Sequence, residues 1–176
     1  MNRGVLALLP AILFSVAIIT GCLPGSGQLL GDTFPAEVEV PTDSGPEPNP
    51  ELSPEDVVKI QVTALQNNDA EDTGIKITFN FASQQNKQMT GPLARFRQLV
   101  KDKAYRPLLN HKAAEYSPMQ LDGDTATQRV TITGKNGQAT VYMFTLSKQK
   151  NLPCENCWMT DSVIMIPTRS QDLKGI

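Results

Sequence analysis

The stretch DTATQRVTITGKNGQATVYMFTLSK, residues 124–148, decides the fold because it contains two strand patterns joined by a turn signal. Polar and apolar residues alternate on both sides of Lys135-Asn136-Gly137, and alternation is typical of a half-buried β-strand. Asn-Gly between such runs is the commonest sequence signal for a tight hairpin. We therefore predict one strand over about 124–134 and its partner over about 138–148.

Two further strands are predicted beside this hairpin, over about 106–116 and about 157–166. The second strand of the hairpin is apolar at successive positions, from Val141 to Phe144, so part of the sheet is apolar on both faces. We expect an antiparallel sheet that is curved and covered by helices on one face.

The helices are predicted ahead of the sheet. Ser53-Pro54-Glu55-Asp56 is a strong helix start, because serine can cap, proline fits the first turn and the acids favour the positive end of the helix dipole. This helix should end near Asn67. A later helix is expected to begin after Thr90, its predicted cap, with one apolar stripe at Leu93, Phe96, Leu99 and Val100. Helices followed by strands indicate an α+β fold.

The N-terminus has the layout of a secretory signal. Arg3 leads into an apolar run from Val5 to Ile19, and small residues and a cysteine follow. Ile19-Thr20-Gly21-Cys22 resembles a bacterial lipobox, which implies cleavage of residues 1–21 and lipidation of Cys22 with fatty acyl chains such as palmitate. We therefore expect a lipoprotein anchored in the cell membrane and facing its extracytoplasmic side. A plain secretory signal is one alternative, and a transmembrane anchor is another, although the run is shorter than the ~20 residues that cross a bilayer.

Residues 22–52 are predicted to be a tether between the lipid and one domain at 53–168, with a C-terminal tail at 169–176. Residues 23–52 contain six prolines, six acids and no base. The Pro-x-Pro spacing from Pro46 to Pro50 favours extended, polyproline-like backbone. The segment from Phe34 to Val40 could dock on the domain. The formal net charge of −2 gives no indication of a nucleic-acid partner.

Five runs in this order resemble the family called domain of unknown function 4864, and the resemblance covers most of 53–168: Ala64-Leu65-Gln66-Asn67-Asn68-Asp69, Phe81-Ala82-Ser83, Thr90-Gly91-Pro92 with Phe96, Tyr105-Arg106-Pro107-Leu108-Leu109, and Trp158-Met159-Thr160-Asp161-Ser162-Val163. That family looks like part of the nuclear transport factor two-like superfamily, which implies helices on a strongly curved sheet that form a cone with a pocket. The resemblance implies a second short helix at 71–82, whereas Ile75, Ile77, Phe79 and Phe81 alternate as in a strand. It supplies no catalytic residue.

Cys154 and Cys157 are an even pair once Cys22 is assigned to lipid, and an exported protein can keep disulfides. They follow Pro153 and precede a predicted strand, so we expect a disulfide in a hairpin loop. A thiol redox switch at this pair is the alternative. A zinc site would need two more ligands, and the chain contains a single histidine, so no metal site is expected.

Three residues are candidates for the pocket: His111, Trp158 and Asp161. The histidine could act as a base near neutral pH or be a buried structural residue. The aspartate, placed at the start of the last strand, could be an acid or a base if it were buried in the cone. Arg95, Arg97, Lys101 and Lys103 are candidates for a basic surface that meets anionic headgroups, an acidic partner or the acidic tether.

No motif in the chain establishes a catalytic role or a cofactor. We therefore expect a non-enzymatic domain that binds a protein partner or a small apolar ligand. The alternatives are a small-molecule enzyme of the isomerase or hydratase kind, which would use the cone, and the thiol switch.

Overall fold

The computed structural model describes residues 45–167, and these form one α+β unit. Four helices come first: α1 (Pro54–Gln66), α2 (Thr73–Asn80), α3 (Gln84–Thr90) and α4 (Leu93–Lys101). A 3₁₀ turn (Arg106–Leu108) follows, and then five strands: β1 (Ala113–Tyr116), β2 (Gln120–Asp122), β3 (Thr125–Thr133), β4 (Ala139–Lys148) and β5 (Trp158–Ile166). The predicted signal peptide, the lipidation site and the segment 34–40 lie outside the described residues.

The first helix begins as the sequence predicts. The Ser53 hydroxyl accepts the backbone N–H of Asp56 at 3.1 Å, and the Asp56 carboxylate accepts the N–H of Ser53 at 3.0 Å. This reciprocal pair is a capping box, which satisfies N–H groups that have no partner inside the helix. The helix ends at Gln66, with Asn67 as its C-cap, close to the predicted end.

The segment 71–82 contains a helix, although its apolar residues alternate. Helix α2 is covered on more than one side, so the alternating residues all find contacts. Ile75 is fully buried, and the Phe79 ring lies 5.2 Å from that of Phe96 on α4. A Cβ on Gly45 would lie 2.8 Å from Ile77 Cδ1, which shows how closely the N-terminal segment covers this helix.

The sheet is antiparallel, with the order β1-β3-β4-β5, and β2 also pairs with β3. The hairpin of β3 and β4 is confirmed, with Val130 opposite Tyr142 and Gln128 opposite Phe144. Inward-facing residues of these strands are buried under the helices, and their outward-facing neighbours are mostly exposed or half-buried. Tyr142 is completely buried, its hydroxyl donates to the Ala104 carbonyl at 2.8 Å, and burial raises its pKa well above the usual range.

Two predicted elements are corrected. The strand predicted over 106–116 exists only from Ala113, because Pro107 lacks an N–H for a ladder and the chain forms the 3₁₀ turn instead. Thr90 does not cap the later helix. It is the last residue of α3, and Pro92 is the residue that precedes α4.

The last part of the predicted tether, residues 45–52, packs on the domain. Residues 45–52 belong to the same compact unit as the domain. Pro46 and Leu52 line a groove with α1 and α2, and the Pro48 carbonyl oxygen lies 3.5 Å from Cys154 Sγ. Proline-rich backbone can be extended and still pack, because its side chains are apolar and it needs few internal hydrogen bonds.

Candidate functional site

A small cavity of about 70 Å³ lies between the helices and the inner face of the sheet. Hydrogen bonds join the polar residues around it. Thr160 Oγ1 donates to Gln61 Oε1 at 2.7 Å, Gln61 Nε2 donates to the Thr78 carbonyl at 3.1 Å, and Asn86 Nδ2 donates to the Thr160 carbonyl at 3.0 Å. The rest of the lining is mostly apolar: Leu65, Ala82, Phe96, Leu99, Val100, Leu108, Phe144 and Val163, with Thr90 and Tyr105.

The chemistry available in this cavity is limited. Among the described residues that line it, none is Asp, Glu, His, Lys, Arg or Cys. Its one titratable group is the Tyr105 hydroxyl, which donates to the Val163 carbonyl at 3.0 Å. General acid–base catalysis needs a group that exchanges a proton near the working pH. The described lining therefore offers no carboxylate or imidazole for the enzymatic alternative.

His111 lies outside the cavity lining and, although it falls within the strand predicted over 106–116, it lies outside the observed strand β1. It follows the 3₁₀ turn and precedes β1, and it is 5% exposed. Its Nδ1 lies 2.8 Å from the Leu108 carbonyl oxygen, so Nδ1 is the nitrogen that carries a proton. Its own carbonyl accepts the side-chain amide of Gln66 at 3.3 Å. These bonds hold the 3₁₀ turn against the end of α1, so the contacts of His111 are structural.

Trp158 and Asp161 also lie outside the cavity lining. Trp158 is the first residue of β5, pairs with Lys148 and packs half-buried against the core. Asp161 is not at the start of this strand. Leu146 pairs with Thr160 and Thr145 pairs with Ser162, so Asp161 is the extra residue of a β-bulge. The bulge turns Thr160 and Val163 both toward the cavity and leaves the carboxylate between them out of its lining.

Two of the four residues of the predicted basic surface, Arg97 and Lys101, lie beside the carboxylate of Asp72. The sequence pattern did not indicate this aspartate. Asp72 is 8% exposed, and its Oδ2 lies 2.7 Å from Lys101 Nζ and 4.0 Å from Arg97 Nε. Lys101 is therefore paired directly, whereas Arg97 shares the same single carboxylate at a longer distance, so one negative charge faces two positive ones. Arg95 is exposed on α4, and Lys103 is exposed beyond its end. Because 29 residues separate Asp72 from Lys101, no local pattern could have indicated the pair.

The Asp72 pair predicts a pH-dependent contribution to stability. The hydrogen bond from the Lys101 ammonium holds the pKa of the Asp72 carboxyl below its ordinary value of 3.8, and the Asn68 amide acts in the same direction, whereas burial opposes both. Stabilisation by this group is therefore complete above pH 3.8 and is lost as pH falls through the lower pKa of the folded state. We expect Asp72→Asn to cost about 1 kcal/mol at neutral pH, since Lys101 is half exposed and screened.

The measurement is thermal unfolding of both proteins from neutral pH to below 3.8. Asparagine tolerates the left-handed backbone of Asp72 (φ 60°), so the substitution removes charge without adding strain. Asp124→Asn is the matched control, because the Asp124–Lys150 pair is well exposed and should contribute little. The difference in stability between wild type and Asp72→Asn should shrink as the pH falls. If it stays constant down to the lowest pH, the stabilisation by the ionised Asp72 carboxylate is contradicted.

A larger groove of about 540 Å³ lies on the surface between residues 45–52, α1 and α2. Its apolar part comes from all three segments: Pro46, Leu52, Ile60, Ala64 and Ile77. Its polar part carries charges of both signs, at Asp56, Lys59 and Asp69, together with Thr63, Asn67 and Thr73. An apolar groove with a few polar groups is the usual character of a binding site, and its volume is in the range of small-molecule sites.

The cysteine pair forms a disulfide in the loop between β4 and β5, as predicted. The Cα atoms of Cys154 and Cys157 are 5.6 Å apart. Cys157 is completely buried, and Cys154 is half-buried beside the Pro48 carbonyl. The disulfide loop therefore contacts the segment that forms one wall of the groove. The switch hypothesis, which requires that a mild reductant open this bond while the fold persists, stays a prediction.

Within residues 45–167, no three His, Cys, Asp or Glu side chains are grouped as metal ligands would be. In the same range, no helix has the length and apolar character that crossing a bilayer requires.

One family model matches residues 49–173, and its description is Domain of unknown function (DUF4864). The match covers most of the chain and begins just before α1. No curated protein and no solved structure matches the chain.

Proposed function

The chain belongs to the domain of unknown function 4864 family, and from that premise we propose that it is an exported lipoprotein with a non-enzymatic binding domain. A lipid on Cys22 anchors it in the cell membrane on the extracytoplasmic side. The domain binds a protein partner or a small apolar ligand in the groove between residues 45–52, α1 and α2.

The groove is the observation that carries this proposal. At about 540 Å³ it can accept a small molecule or a short apolar segment, whereas the interior cavity, at about 70 Å³, has room for a few waters. The absence of a carboxylate or an imidazole from the described lining of that cavity favours binding over isomerase or hydratase chemistry.

The N-terminal sequence supports the membrane anchor. The family match begins at residue 49, so the apolar run, the lipobox-like residues and most of the acidic stretch precede the family domain. This is the arrangement expected when a common domain is joined to a separate export and anchoring segment. A single acyl chain binds membranes only marginally, so the proposal includes the two or more chains of a bacterial lipoprotein.

The order of elements supports placement in the nuclear transport factor two-like superfamily, which is part of the same proposal. Four helices precede an antiparallel sheet, and a cavity lies between the two layers. That arrangement agrees with the cone expected for the superfamily.

The test compares variants in the two parts of the proposal. Mass spectrometry of wild type should find an acylated N-terminal cysteine at position 22, and Cys22→Ser should lack the acyl mass. Thr63→Arg places a long cation in the groove from an exposed position of α1. We expect it to lower recovery of the groove ligand about tenfold or more, in a detergent pull-down read out by mass spectrometry of proteins and lipids.

Gln98→Arg is the matched control for the groove, because it adds the same charge at an exposed position of α4 that does not line the groove. Equal recovery with both arginine variants would contradict the groove. An unmodified sulfur at position 22, or an intact Met1, would overturn the anchor and leave the groove result independent of it.

A further inference from the structure

A second groove, also of about 540 Å³, lies where the 3₁₀ turn meets the turn between β3 and β4. We call it the basic groove, because Lys103, Arg106 and Lys135 line it and no carboxylate from residues 45–167 does. Its remaining lining is Pro107, Leu109, Gly134, Asn136, Gln138 and Thr140. It shares no residue with the groove of α1 and α2, so binding in one groove can be tested independently of binding in the other.

The three cations have no acidic partner within the described residues. The ion pairs between residues 45 and 167 are those of Asp72 with Arg97 and Lys101, and that of Asp124 with Lys150. All three cationic side chains of the basic groove are exposed. Like charges that line one concave surface add their fields, and an anion in the groove would lower the repulsion between them.

Backbone hydrogen bonds fix the two turns that carry the cations on either side of the groove. Arg106 donates its N–H to the Asp102 carbonyl at 2.8 Å and accepts that of Leu109 at 3.0 Å. On the other side, Gly134 and Gln138 close the strand turn, because the Gly134 N–H donates to the Gln138 carbonyl at 2.9 Å. Two short, hydrogen-bonded turns therefore present the charges, and little backbone ordering is needed on binding.

The neutral side chains of the groove also favour an anion. Asn136 Nδ2 donates to Gln138 Oε1 at 3.0 Å, and Asn136 Oδ1 accepts the Gln138 N–H at 3.1 Å. Both side-chain amide oxygens are thus engaged inside the turn. The Gln138 amide nitrogen has no acceptor among the described residues, so it adds donors to those of the three cations. A site in which donors outnumber free acceptors selects a ligand rich in acceptor oxygens.

We propose that the basic groove binds the phosphate group of an organic anion, held by Lys103, Arg106 and Lys135. The planar fork of Arg106 matches two phosphate oxygens at once, and the lysines act as point charges. The volume is larger than one phosphate needs, so the rest of the ligand lies over Pro107 and Leu109. Two sources have this chemistry: a soluble phosphate ester and a phospholipid headgroup.

The experiment uses the full chain in neutral detergent, labelled with ¹⁵N, at about 0.1 M ionic strength so that long-range attraction is screened. One arm titrates glycerol 3-phosphate. The other adds phosphatidylglycerol to the neutral micelles. We expect saturable shifts of the backbone signals of Lys103, Arg106 and Lys135 in at least one arm. The arm that responds identifies the source, and either response supports a phosphate site.

The variant Arg106→Gln with Lys135→Gln should weaken binding about tenfold or more, since it removes two charge-assisted contacts. Lys112→Gln with Lys150→Gln removes the same charge from exposed residues outside the groove and should change affinity less than about twofold. Unchanged thermal unfolding checks that each variant is folded. No saturable shift in either arm would overturn the proposal, and so would equal weakening in both double variants.

Discussion

Gly74→Ala is expected to lower the free energy of unfolding of the domain by about 3 kcal/mol, because the space for a methyl group is already occupied. Gly74 lies in the first turn of α2, where this helix contacts α1. A Cβ there would overlap the carbonyl oxygen of Ala64 and would lie 3.1 Å from Asn68 Oδ1. The overlapped atom belongs to the backbone of α1, so only a separation of the two helices can relieve the contact.

The measurement is chemical or thermal unfolding, in which a loss of this size lowers the melting temperature by roughly 10 °C. Gly123→Ala is the control, because a Cβ there meets nothing within 4 Å, and the cost comes only from its positive φ of 56°. That cost is about 1 kcal/mol. If Gly74→Ala costs no more than Gly123→Ala, the close approach of α1 and α2 is contradicted.

Gln61→Ala is expected to cost about 3 kcal/mol as well, for a different reason. The side chain is 1% exposed and links α1 to α2 and β5, through the Thr78 carbonyl at 3.1 Å and the Thr160 hydroxyl at 2.7 Å. Truncation leaves both partners without a bond in the interior and enlarges the cavity. Gln66→Ala is the control, since that half-buried side chain makes one bond of 3.3 Å, and we expect a loss of about 1 kcal/mol or less.

A double-mutant cycle separates the lost hydrogen bonds from the lost volume. Gln61→Leu keeps most of the side-chain volume but leaves the Thr160 hydroxyl without its acceptor. Thr160→Val removes that hydroxyl. We expect the two changes together to cost about 1 kcal/mol less than the sum of their separate costs, because the double variant removes both ends of the Thr160–Gln61 bond. The Thr78 carbonyl loses its Gln61 donor with or without the second change, so its cost cancels in the cycle. Additive losses would show that the 2.7 Å bond contributes no coupling.

The sequence predicts an element correctly where the stabilising contacts are between residues close together in the chain. The capping box of Ser53 and Asp56 and the Asn-Gly turn between β3 and β4 both operate over a few residues, and both elements were predicted. Helix α3 was missed because its sequence, QQNKQMT, has no apolar stripe. Its one local signal is Ser83, whose hydroxyl accepts the N–H of Asn86 at 3.2 Å.

The candidate sites depend on contacts between distant parts of the chain, so they could not be predicted. Residues 45–52 have the composition of a tether, and only their contacts with α1 and α2 make them a wall of a groove. Asp72 compensates Lys101 across 29 residues, and the bulge at Asp161 appears only when β5 is paired with β4. The basic groove likewise joins Lys103 and Arg106 to Lys135 from the next hairpin.

The contacts of residues 45–52 with the domain also affect how the domain responds to a force applied from its N-terminal side. A pull arriving from the N-terminal side enters the fold where Gly45 covers Ile77 and where Pro48 meets the loop of Cys154. We expect the load to be shared between α2 and the disulfide-closed loop before it reaches the capped start of α1. We therefore expect that a force applied to the N-terminal side does not unwind α1 from its first turn.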